Sequence, residues 1–167
     1  MVSKKRKPLI RNLIRMLVAT IVVSVLYICY TIIYDLRVHF INKSELKDIA
    51  KVNQIYSDRF DKFVSDIEKN TEWKVLIISG LRTKDEQIQL KRDNPRNASF
   101  KKSRHVMGRA VDLNLYKREG LRIVWLKKGS SLTLWRKTKV PEIAGKYRLL
   151  WGGTYRTYHD PVHFEIN

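Results

Sequence analysis

Apolar and polar positions alternate in three distinct ways along the chain. Residues 16–34 (MLVATIVVSVLYICYTIIY) are free of charge over 19 positions, close to the roughly 20 that a helix needs to cross a bilayer. Tyr27, Tyr30 and Tyr34 crowd the second half of this run, where an aromatic belt would lie. A buried core helix is the alternative, disfavoured because the run is apolar all round and its upstream flank is purely basic. A cleaved signal sequence has a shorter apolar stretch of about 7–15 residues and a small-residue cleavage pattern, so the run reads as an uncleaved anchor. From Ser44, a candidate N-cap, Leu46, Ile49, Ile55, Tyr56, Phe60, Phe63, Val64 and Ile67 follow a near-helical repeat to about Asn70. This stripe predicts packing into a core or against the membrane-proximal linker.

Shorter periods follow. Residues 74–79 (KVLIIS) read as a buried strand broken by Gly80, and Thr83 with Glu86 forms a capping box for a short helix to about Lys91. Residues 92–104 are a basic loop. In 109–116 Ala110, Asp112 and Asn114 alternate with Val111, Leu113 and Leu115, a half-buried strand. A turn at 117–120 leads to a partner at 121–126. Pro141 opens a helix through Arg148, Trp151-Gly152-Gly153 turns the chain, and 162–166 form a last strand. The organisation is a basic tail (1–15), a transmembrane anchor (16–34), a linker and helix (35–70) and a C-terminal domain (71–167).

Charge adds an address. The 167 residues carry 34 Lys and Arg against 16 Asp and Glu, which calls for an anionic partner. Six of those cations and no acid precede residue 16. The positive-inside rule then predicts a cytoplasmic N-terminus, a single pass through the cytoplasmic (inner) membrane and an exported C-terminal domain on the periplasmic or cell-wall side. The exported part remains strongly basic, so wall polymer or lipid headgroup is favoured and nucleic acid is not expected. The lone Cys29 excludes an internal disulfide and a Cys-only zinc site.

Three segments carry chemistry. In S-R-H-V-M-G-R-A-V-D (103–112), His105 stands in a loop and Asp112 within a strand. In H-D-P-V-H-F-E (159–165), Asp160 precedes His163 by three residues. His159 and His163 compete as ligand, and alternation favours His163 with Glu165 on its face. A third N or O donor would complete a catalytic zinc site with an open position, and a nearby carboxylate can act as general base. In S-G-L-R-T (79–83), Arg82 lies just past a strand end, with Gln87 one turn into the next helix.

Taken in this order, the segments resemble the zinc D-Ala-D-Ala carboxypeptidase and L-alanyl-D-glutamate endopeptidase superfamily, over about residues 75–167. The closing W-G-G-T-Y-R-T-Y-H-D-P-V-H-F-E looks like the L-alanyl-D-glutamate branch, which includes phage endolysins. The resemblance implies Zn²⁺ held by His105, Asp112 and His163, Asp160 as catalytic base and Arg82 polarising the scissile carbonyl. Ser103 and Gln87 would line the substrate site, and Glu165 is the next candidate base. It also implies an α+β domain, a small antiparallel sheet with flanking helices as in Hedgehog-type peptidases. Thr154 and Tyr155 stand where the branch commonly has Asp and Trp, Tyr158 where it has Phe, and one extra residue separates Pro161 from His163. The expected substrate is a peptidoglycan stem peptide and the expected activity an L-alanyl-D-glutamate endopeptidase. D-Ala-D-Ala carboxypeptidase is the alternative, and a non-catalytic, membrane-tethered wall-binding module the rival from another class.

Overall fold

The structure, a computed structural model, describes residues 6–167, with side chains from Pro8 onward. Of the basic tail predicted for 1–15, Lys4 and Lys5 lie outside the described residues. The chain divides into two compact units, Met1–Val38 and His39–Asn167.

The first unit is helical. Helix α1 (Arg6–Val52) contains the charge-free run, and none of its most apolar window is buried. It is long and apolar enough to cross a membrane. An all-round apolar surface is what a lipid-facing helix requires and what water disfavours.

The second unit begins with the end of α1. Ser44 caps nothing. No Pro or Gly lies between Tyr34 and Ser44 to stop a helix, so α1 continues to Val52. The break falls at Asn53, whose extended backbone and side chain, accepting from Tyr56 N at 3.2 Å, start α2 (Gln54–Asn70). This break resets the phase of the apolar stripe. Ile49, Phe60, Phe63 and Ile67 are fully buried, whereas Ile55 is 67% exposed.

Five strands form one antiparallel sheet. They are β1 (Lys74–Ser79), β2 (Ala110–Glu119), β3 (Arg122–Leu126), β4 (Leu149–Trp151) and β5 (His163–Ile166). The path runs β1-β2-β5-β4, with β3 paired to β2. Three helices complete the unit: α3 (Lys84–Asp93), α4 (Leu132–Lys137) and α5 (Val140–Lys146). The α+β class expected from the sequence is the class observed. Val111, Leu113 and Leu115 of β2 enter the core with α2 and α5 residues, and Phe63 of α2 meets Phe164 of β5 at 5.1 Å between ring centroids. Strand alternation therefore sends Asp112, His163 and Glu165 to the opposite face. The Thr83–Glu86 capping box forms as expected.

Candidate metal centre

Register builds the centre. Asp112 of β2 lies directly across from His163 of β5, and Ala110 from Glu165. The β1–β2 ladder ends in an irregularity between Ile77 and Ser79, which releases the 79–82 turn towards Asp112. His105 comes from the loop before β2. Its Nδ1–H donates to the Gly80 carbonyl at 2.8 Å, leaving Nε2 to face the other two donors.

Three donor atoms converge. His163 Nδ1 is 2.8 Å from Asp112 Oδ1, His105 Nε2 is 3.2 Å from the same oxygen and 3.3 Å from His163 Nδ1. Ligand atoms about 2.0–2.1 Å from a tetrahedral ion lie about 3.3 Å apart, so two imidazoles and a carboxylate at these spacings fit zinc. Of the histidines in the sequence's closing motif, the structure brings in His163 and leaves His159 exposed.

Charge follows the geometry. Burial disfavours the charged form of His163, but hydrogen bonds to Asp112 and Glu165 outweigh it and raise its pKa from 6.5 to about 9. Burial opposes ionisation of Asp112 too, yet hydrogen bonds from His105 and His163 hold it far below the usual carboxylate range.

Around this triad the neighbours are specific. Glu165 Oε2 accepts from His163 Nε2 at 3.2 Å, which fixes the ring with Nδ1 inward. Glu165 itself is held by Tyr155 and Arg104. Arg82 donates from Nη2 to Asp112 Oδ2 at 2.6 Å and from Nε to Ser79 Oγ at 2.8 Å. Its Nη1 reaches Gln87 Oε1 only at 3.5 Å. Gln87 and Ser103 are both buried and bonded to each other at 3.0 Å, and Gln87 also donates to the Ala98 carbonyl. They pin the loop before His105 to α3.

Asp160 lines the same cleft of about 260 Å³ as the triad, together with Lys128 and Tyr158. Its Oδ2 accepts from Lys128 Nζ at 2.9 Å. Its Oδ1 is buried with no hydrogen-bond partner, an arrangement suited to an acceptor awaiting water or substrate. The turn that carries Asp160 depends on Gly152. A Cβ there would come within 2.5 Å of the Asp160 carbonyl oxygen, while Asp160 N donates to Gly152 O at 3.0 Å.

Residues 96–166 match the family described as D-alanyl-D-alanine carboxypeptidase. The match falls in the superfamily that the motifs led one to expect. The matched segment holds the triad and Asp160, while Arg82 and Gln87 lie before it. The crystal structure of Serratia marcescens L-Ala D-Glu endopeptidase ChiX is similar at 19% identity and a TM-score of 0.48, covering 76% of this chain and 86% of that one.

Sequence reasoning gives no role to Tyr155, Lys128 or the Gly80 carbonyl. Tyr155 lies within the closing segment, but its hydrogen bond to Glu165 has no signal there. Lys128 and a backbone carbonyl have no signal in sequence.

Proposed function

We propose that the chain is a membrane-anchored zinc endopeptidase that cleaves the L-alanyl-D-glutamate bond of peptidoglycan stem peptides. The observation that carries the reading is the convergence of three zinc-type donors beside the unpartnered Oδ1 of Asp160 in one cleft. A binding module has no use for such an oxygen.

His105 Nε2, Asp112 Oδ1 and His163 Nδ1 would hold the ion. Zinc in such a site supplies Lewis acidity and brings the pKa of water towards neutrality. Asp160 Oδ1 accepts a proton from the attacking water, then returns it to the departing amine. Lys128 holds the other oxygen of Asp160, which leaves Oδ1 the oxygen without a partner. Arg82 is anchored by Asp112 and Ser79, and its weakly held Nη1 is the group free to meet the carbonyl oxygen as charge develops. Lys102, Arg104 and Lys128 line the cleft and suit a substrate rich in carboxylates.

Endopeptidase specificity rests on the closing W-G-G…H-F-E segment. The family's own description favours the second reading, removal of a terminal D-Ala. Digestion of purified wall separates them: the first exposes new amino termini on glutamate, the second releases free D-alanine. The apolar run of α1 would anchor the enzyme with its N-terminus in the cytoplasm and the peptidase exported, its partners being peptidoglycan and membrane lipid.

A further inference from the structure

The last turns of α1 do more than complete the core. Asn42 brackets the exposed edge of β1, donating to the Val75 carbonyl at 2.8 Å and accepting from Ile77 N at 2.8 Å. Asn42 thus satisfies backbone groups that a neighbouring strand would otherwise take. One turn further on, Glu45 Oε2 accepts the Gly80 N–H at 2.6 Å. The fit is close: a Cβ on Gly80 would stand 2.9 Å from that same oxygen and 3.3 Å from Ile49 Cδ1. Gly80 is therefore gripped on both sides, by Glu45 through its N–H and by His105 through its carbonyl.

We propose that Glu45 is a positioning residue for the metal centre: it fixes the Gly80 residue whose carbonyl sets the tautomer and direction of the His105 ring. The carbonyl can receive only Nδ1–H, so Nε2 is left unprotonated towards Asp112 and His163. Glu45 touches neither metal donors nor the cleft, and it lies 51 residues before the family-matched segment. The last turns of α1, within His39–Asn167, in this way take part in the metal centre. The inference rests on the zinc reading above.

The test uses full-length protein in detergent, stripped of metal, with Zn²⁺ affinity read by chelator competition and the Gly80 amide by hydrogen exchange. Glu45→Ala should bind Zn²⁺ about 10–100-fold more weakly, the usual cost of losing an outer partner of a ligand, and should expose the Gly80 amide. Glu45→Gln keeps an acceptor oxygen at the same reach and should restore both. Glu45→Asp keeps the charge, loses the reach and should behave like the alanine variant, so the Gln and Asp pair decides the matter if Glu45→Ala does not fold. Wild-type affinity in Glu45→Ala or Glu45→Asp, or a Glu45→Gln as weak as they are, would overturn the inference alone. Wild-type protein that binds no Zn²⁺ overturns the functional reading with it.

Discussion

Asp160 offers one oxygen to Lys128 and keeps the other buried and unpartnered. Replacing it with Asn retains size and most hydrogen bonding but removes the proton acceptor. Asp160→Asn should fold, retain zinc and lose on the order of 10²–10⁴ in rate, read from wall digestion alongside metal content. The ligands should divide differently: His105→Ala, Asp112→Ala and His163→Ala each lose zinc, and His159→Ala keeps it. His163 adds a pH dependence. Its proton must leave before a metal can enter, so zinc affinity should rise by about tenfold per pH unit up to about pH 9. The metal-free fold runs the other way. Because the folded pKa lies above the ordinary 6.5, this proton's contribution to stability is complete below 6.5 and is lost as pH rises through about 9. Urea unfolding of stripped protein between pH 6 and 10 measures that loss.

At the scale of elements, the strands were legible because each side of the sheet has its own chemistry. Val111, Leu113 and Leu115 against Asp112 and Asn114 declared β2 and its polar face, and the same alternation chose His163 over His159. The capping box declared the start of α3. The end of α1 was not legible, since Ser44 is a good N-cap residue and only the absence of Pro and Gly between Tyr34 and Ser44 speaks for a helix that continues through it. Strand β4 has three residues and α4 has six, too few for any period to emerge, although the buried Trp135 anchors α4. Trp151-Gly152-Gly153 signals a turn in the sequence, while the contact that needs Gly152 lies with the Asp160 backbone. Gly152→Ala should force the Asp160 backbone away, at a cost of about 1–3 kcal/mol for an overpacked site, with a lower urea midpoint and reduced activity at full zinc loading.

For the whole molecule, the sequence motif and the fold meet at one end of the sheet while the charge and the apolar run speak of location. Six cations before the span, none balanced by an acid, predict that a reporter fused after Asn167 works on the exported side, and a reporter active only in the cytoplasm would contradict this. The most direct test of the central claim is the identity of the amino termini that full-length protein creates in purified peptidoglycan. New termini should appear on glutamate, abolished by a chelator, restored by Zn²⁺ and absent with His163→Ala. Cleavage that survives metal removal, or release of D-alanine with no new glutamate termini, would contradict it.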